Sequence, residues 1–213
     1  MAPALPVIAT GGFGERVARL LTETRPGAEV LSASDAGLRR AFGPFRGPVV
    51  LAAWRPEPGL CEELDALAYR HGRSWLPVVL ETAVIRVGPL VRPPYAPCFG
   101  CYRRRRGQHD LQARTTSLLT ARYDREPHCG PGGFLPHHAR AAAALAAAYA
   151  DGAPGTGTGL VSTIRLREWG VEAHPVVPCH GCTRCGSRGM SDTGLKRLRA
   201  ALPAPSALSE VPR

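Results

Sequence analysis

The feature that most constrains this chain is a pair of short motifs, Cys98-Phe-Gly-Cys101 and Cys182-Thr-Arg-Cys185, with 80 residues between them. Two-residue spacing lets both thiolates of a pair reach one ion while backbone amides point at the sulfurs, and two such pairs complete a tetrahedron. Any fold the chain adopts must then bring these distant segments together. The expected site is structural zinc held by Cys98, Cys101, Cys182 and Cys185, because four thiolates leave no open position for water or substrate. Metal is favoured over disulfide because Met1-Ala-Pro-Ala-Leu-Pro lacks the basic and apolar regions of an export signal. On that reading the protein is cytoplasmic, and no run nears the ~18 apolar residues of a membrane span. The register of the second pair stays open. Cys179-His-Gly-Cys182 is also a C-x-x-C, so Cys179 or His180 is a candidate substitute ligand, whereas Gly186 after Cys185 favours the later pair. Cys61 and Cys129 read as bystanders. The competing readings are a redox pair, disfavoured because neither motif is expected to open a helix after a strand, and unliganded core cysteines.

Around these motifs the hydrophobic pattern is that of an α/β protein. Leu5 to Ala9 is a short apolar run, followed by Thr10-Gly-Gly-Phe-Gly14 and then by Phe13, Val17, Leu20 and Leu21 at helical spacing. Ala28 to Leu31, Pro48 to Ala53, Leu76 to Leu80 and Ala83 to Val87 read as further strands, with an amphipathic helix from Gly59 to Arg70. Strands and helices alternating in this way predict a reduced Rossmann-like sheet with helices on both faces, stapled by the four cysteines. Residues 1–200 are expected to form one domain and 201–213 a disordered tail. Residues 103–136 carry four consecutive arginines and the breakers Pro127, Gly130, Pro131, Gly132 and Gly133. They read as an irregular, mobile insertion with at most one short helix near Leu111 to Ala121. The alanine-rich stretch His138 to Tyr149 predicts a helix, Leu160 to Trp169 a short helix or strand, and Val171 to Val177 an edge or terminal strand.

Backbone amides at a strand-to-helix glycine turn can cradle a phosphate. Gly11, Gly12 and Gly14 are the candidates here, with Asp35 near the distance expected of a ribose-binding acid. The fingerprint is incomplete, because Val17 stands where a third glycine belongs, and a tight turn without nucleotide explains the same residues.

A net charge of +10 admits nucleic acid, an anionic surface or an acidic peptide as partner. Nucleic acid is disfavoured by the lack of interleaved aromatics for base stacking. Arg103 to Arg106 read either as a surface for an acidic peptide or partner enzyme, or as a solvated charged loop. His137 and His138 are expected to face solvent or cap the helix that follows.

Taken in order, the glycine turn, the strand Val49 to Ala53, the segment Trp75-Leu-Pro-Val-Val-Leu-Glu81, then Val87-Gly-Pro-Leu-Val-Arg-Pro-Pro-Tyr-Ala-Pro-Cys98-Phe-Gly-Cys101-Tyr-Arg-Arg, and later Ala173-His-Pro-Val-Val-Pro before the second knuckle form a recognisable series. The chain resembles the ThiF-like branch of the ubiquitin-activating-enzyme superfamily. More closely, it resembles the cyclodehydratase partner proteins, also called TOMM precursor leader-peptide-binding proteins, of azole-forming peptide pathways. The resemblance implies a partner that binds the leader of a ribosomally made precursor and presents it to a YcaO cyclodehydratase, in thiazole/oxazole, bacteriocin or thiopeptide biosynthesis. It also implies structural zinc, and superfamily members often form homodimers. Relatives that activate carboxyl groups with ATP carry G-x-G-G-x-G. The matching stretch here, Ala9-Thr-Gly-Gly-Phe-Gly14, lacks the first glycine, and the only lysine is distant Lys196, so ATP chemistry is weakly supported. An adenylating enzyme acting on a peptide or carrier-protein C-terminus is the alternative. With its first strand about five residues from Met1, the chain is expected to lack the winged-helix leader-binding domain of such partners. A separate leader-recognition protein, or the chain's own surface, would then have to serve.

Overall fold

Why these residues form a sheet with two covered faces is clearest at its centre. In the computed structural model of the protein, which describes residues 4–126, 128–168 and 170–186, β3 (Val49–Ala53) and β4 (Trp75–Leu80) are buried along their whole length. Continuous rather than alternating apolarity is what a strand covered on both sides requires. β1 (Leu5–Thr10), β2 (Ala28–Leu31), β3 and β4 run parallel, and β5 (Val84–Val87), β6 (Leu160–Arg165) and β7 (Val171–Pro175) continue the sheet antiparallel, in the order β2-β1-β3-β4-β5-β6-β7.

Parallel neighbours need crossovers, which here are α1 (Gly11–Thr24), α2 (Asp35–Ala41) and α3 (Pro58–His71). Their ends carry local signals. The Ser34 hydroxyl accepts from the Gly37 amide, Pro58 sits where a missing N–H costs nothing, and Gly72 closes α3 in the left-handed region. α1 and α6 (Pro136–Asp151) cover one face, where Phe13, Val17 and Leu21 meet Ala139, Ala142 and Ala146 over Val50, Leu76 and Val78. α2 and α3 cover the other, with Leu38, Leu64 and Ala68 against Leu51, Val79 and Trp75. Alanine on α6 lets that helix approach α1 and the sheet closely.

The stretch expected to be an irregular insertion differs from that reading. It holds two helices, α4 (Phe99–Gln108) and α5 (Ala113–Arg125), separated by a short turn at residues 109–112. Arginine is a good helix former, and the run of four continues a helix begun at the first cysteine pair. His138 caps α6, its Nδ1 accepting from the Leu135 amide. Leu160–Arg165 is a strand rather than a helix, and β7 is the sheet's outer strand. The expected tail, 201–213, lies outside the described residues. Among the described residues no helix is long and apolar enough to cross a membrane.

Candidate metal centre and the glycine turn

The topology brings the two cysteine pairs together. Cys98, Cys101, Cys182 and Cys185 are all buried, and their sulfurs lie within 4.8 Å of one another, a group that could hold a metal ion. The Sγ–Sγ separations are 3.8 Å for Cys98–Cys101, 3.6 Å for Cys98–Cys182 and 3.6 Å for Cys101–Cys185. Metal–sulfur bonds of about 2.3 Å in a tetrahedron place sulfurs about 3.8 Å apart, so the donor set fits zinc in size as well as in softness. All seven cysteines are free thiols.

Cys98 is the N-cap of α4, but that helix leads on to α5 and α6, and β5 and β6 pair antiparallel, so the pair does not sit in a βαβ unit. The second pair sits in a tight loop in which the Gly186 amide donates to the Cys182 carbonyl at 2.9 Å, with Gly186 at φ +59°. Cys179 is outside the four. Its amide donates to Cys101 Sγ at 3.3 Å, so it supports a neighbouring sulfur. Burial pushes the Cys98 thiol up and Cys185 to about 11. At Cys182 the amides of Cys185 and Arg184 overcome burial and bring the thiol down to about 6. A divalent cation at this site would let sulfurs this close be thiolates together. Cys61 is a core residue of α3 whose thiol burial pushes up to about 12, the setting of a structural rather than a reactive cysteine.

Asp65 ties this centre to the sheet. Its Oδ1 accepts from Trp75 Nε1 at 3.2 Å and from the Phe99 amide at 3.3 Å, and its Oδ2 pairs with Arg184 Nε at 3.2 Å. Burial raises its carboxyl, and these partners only partly offset that. The arginine run is likewise engaged. Arg103 pairs with Glu62, Arg105 donates to the carbonyls of Val177 at 3.2 Å and Pro178 at 3.1 Å, and Arg106 holds Glu81 with two nitrogens.

At the glycine turn, Gly11 has φ +61°, and a Cβ there would lie 2.3 Å from Trp54 Cγ. The far edge of the same indole lies against Gly130, where a Cβ would meet Cη2 at 2.5 Å. Trp54 thus has a glycine at each end of its indole. Gly14 lets α1 press on β3, since a Cβ would meet the Ala52 carbonyl oxygen at 2.1 Å, and Gly12 faces Phe134. Asp35 is exposed at the start of α2.

Beside the indole, at the C-terminal ends of β1 and β3, is a cavity of about 570 Å³ lined by Thr10, Gly11, Trp54, Arg55, Glu57 and Tyr123, among others; Gly12, Gly14 and Asp35 do not line it. Arg55 is buried under it. Its Nη1 donates to the carbonyls of Glu126 and Cys129, and its guanidinium lies over the rings of Tyr123 at 5.1 Å and Trp54 at 5.4 Å. It thereby straps the α5–α6 connection over the turn. Burial raises the Glu57 carboxyl despite the hydrogen bond from Thr10 Oγ1 at 2.9 Å.

Sequence reasoning missed Trp54, Arg55, Asp65, Glu81 and Arg86. The signal existed for two of them. Asp65 is an acid on the buried stripe of α3, four residues from Cys61, and Arg86 interrupts the apolar strand Val-Ile-Arg-Val.

An open α/β sheet with an antiparallel wing and a four-cysteine clasp is therefore the class of architecture. No family profile matches the chain, and no curated protein is similar to it in sequence. Solved structures do share the fold. The heterocyclase TruD superposes with a TM-score of 0.61 at 20% identity, covering 88% of this chain and 28% of that one. A heterocyclase in complex with substrate and cofactor gives 0.61 at 18% identity, covering 88% and 26%. The microcin C7 biosynthetic enzyme MccB, an E. coli protein, in complex with N-formylated MccA, gives 0.59 at 15% identity, covering 86% and 67%. At these identities the likeness is one of fold, and the chain spans little more than a quarter of the heterocyclases.

Proposed function

We propose that this chain is a non-catalytic, zinc-stabilised, ThiF-like accessory protein that binds or presents a ribosomal precursor peptide to a YcaO cyclodehydratase in thiazole/oxazole-type biosynthesis. The observation that carries this reading is the Trp54 indole lying on Gly11. The indole fills the space a side chain at Gly11 would need, so that packing explains the glycine without a phosphate. The shared fold with two heterocyclases, one of them solved with its substrate, supports the pathway assignment. So does the likeness to MccB, solved with MccA.

Zinc, held by Cys98, Cys101, Cys182 and Cys185, would serve as a cross-link between α4 and the segment after β7, and a closed thiolate site activates no water. The test is reconstitution. A YcaO enzyme and its precursor peptide should form azolines much more slowly without this chain, and an unchanged rate would sink the reading. The cavity beside the first turn of α1 favours the alternative, an adenylating enzyme. Exchange of labelled pyrophosphate into ATP, which we expect to be absent, separates the two.

A further inference from the structure

β7 is the last strand of the sheet, and all five of its residues are exposed. Its pairing with β6 is closed by Arg165 N to Gly170 O and Val176 N to Gly159 O, both 2.9 Å. In an antiparallel ladder, alternate residues turn their backbone groups to the partner. Counting inward from these two bonds, Glu172 and His174 face β6, while the amides and carbonyls of Val171 and Ala173 face outward.

Next to this edge, between α4 and the outward face of β5, β6 and β7, is a groove of about 480 Å³. Val84, Val161, Val176 and Val177 give it an apolar floor, and three arginines line it: Arg86, Arg105 and Arg106. Glu81 is its one carboxylate, already bound by Arg86 Nε at 3.0 Å and Arg106 Nη1 at 2.5 Å. Glu172, at the rim, is bound by Arg165. The groove thus keeps an excess of positive charge beside outward strand donors and acceptors that no strand among the described residues uses.

We propose that this groove and the outer edge of β7 form one docking site, whose occupant is an acidic, extended peptide segment added alongside β7 as a further strand. Main-chain hydrogen bonds to Val171 and Ala173 would supply affinity, and alternate acidic or apolar side chains would fall on the His174 face, toward the arginines and the valine floor. Charge excludes the two nearest competitors. A second copy pairing through β7 would bring its own arginine-lined groove against this one. The chain's residues 187–213 carry Arg188, Lys196, Arg197, Arg199 and Arg213 against only Asp192 and Glu210. The inference rests on the reading that the chain engages a precursor peptide, and assigns that peptide a place and a chemistry.

Fluorescence anisotropy on the zinc-loaded full chain tests it, with a fluorescein-labelled peptide of alternating valine and glutamate as probe and its valine–lysine counterpart as control. The glutamate peptide should bind, more weakly as salt rises, and the lysine peptide should not. Ala173→Pro removes one outward amide, and His109→Glu with His174→Glu places negative charge at the groove on two exposed side chains. Each should weaken binding by about tenfold or more. Metal content and near-ultraviolet circular dichroism report whether each variant is folded, and the histidine pair stands alone should the proline variant fail. Equal binding of both peptides, no binding of the glutamate peptide, or unchanged affinity in the folded variants overturns the site, as does dimerisation lost on Ala173→Pro. In the reconstituted cyclisation assay, a chain that is required but indifferent to these substitutions would refute the groove alone. Intact peptide binding by a dispensable chain would refute the accessory role alone.

Discussion

Glu81 is the buried carboxylate on which three elements converge, and replacing it should be costly in a way that can be dissected. Leaving β4, it accepts from Arg86 Nε of β5 at 3.0 Å and from Arg106 Nη1 and Nη2 of α4 at 2.5 and 2.6 Å. Glu81→Ala leaves the buried Arg86 guanidinium with the Gly88 carbonyl and the ring faces of Tyr102 and Phe99, but without its counter-charge. Removing one member of a buried ion pair costs about 3–5 kcal/mol. With a urea slope of about 2 kcal/mol/M, the unfolding midpoint should fall by about 1.5–2.5 M. Glu81→Leu combined with Arg86→Met removes both buried charges and should recover most of the loss, since Arg106 is half-exposed and can rehydrate.

The pH dependence follows from the same contacts. Burial pushes the Glu81 carboxyl up, but the hydrogen bonds and charges of Arg106 and Arg86 outweigh it and hold the group below its ordinary 4.5. A depressed carboxylate stabilises the fold above its unfolded value and loses that contribution as pH falls through the folded one. The native midpoint should therefore drop as pH falls below 4.5, and the double variant should drop less. A Glu81→Ala cost under about 1 kcal/mol at unchanged slope, the size of an exposed pair, would refute the buried network.

Two further substitutions probe the turn and the clasp. Gly11 and Gly72 share nearly the same φ, +61° and +62°, but only Gly11 has a neighbour against its missing Cβ. Gly72→Ala should cost about 1–2 kcal/mol of backbone strain, Gly11→Ala clearly more with an altered tryptophan signal, and equal costs would refute the packing of the indole on Gly11. Cys185→Ser should lose bound zinc by elemental analysis while Cys179→Ser keeps it, and the reverse pattern would overturn the ligand set.

The parallel half of the fold was legible because buried parallel strands advertise themselves: Val49 to Ala53 is apolar at every position, and the turns around it carry glycine or proline. The four cysteines were legible as spacing. Beyond these, composition misled where a contact decides. The arginines 103–106 read as a partner-binding surface or as solvated charge, yet two of them reach Glu81 and the carbonyls before the second knuckle, partners brought near only by the closed sheet. Gly11 read as a phosphate cradle or as a plain tight turn, and sequence alone could not place Trp54, 43 positions later, against it. Asp65 likewise gains its meaning from Trp75, Phe99 and Arg184, which lie on three different segments.

The clasp also gives assembly an order in time. Cys182 follows Cys101 by 81 positions, which at roughly 5–20 residues per second of synthesis is an interval of about 4–16 s. Throughout it the parallel strands and the first two thiols are complete while their counterparts have yet to be made. A metal bound there would be a last step, closing a loop whose restriction of the unfolded chain, reckoned as for a cross-link, would be worth about 4–5 kcal/mol. Until then the nascent chain carries a half-built ligand set, open to oxidants and competing ions, and the antiparallel wing that bears β7 is the part left waiting.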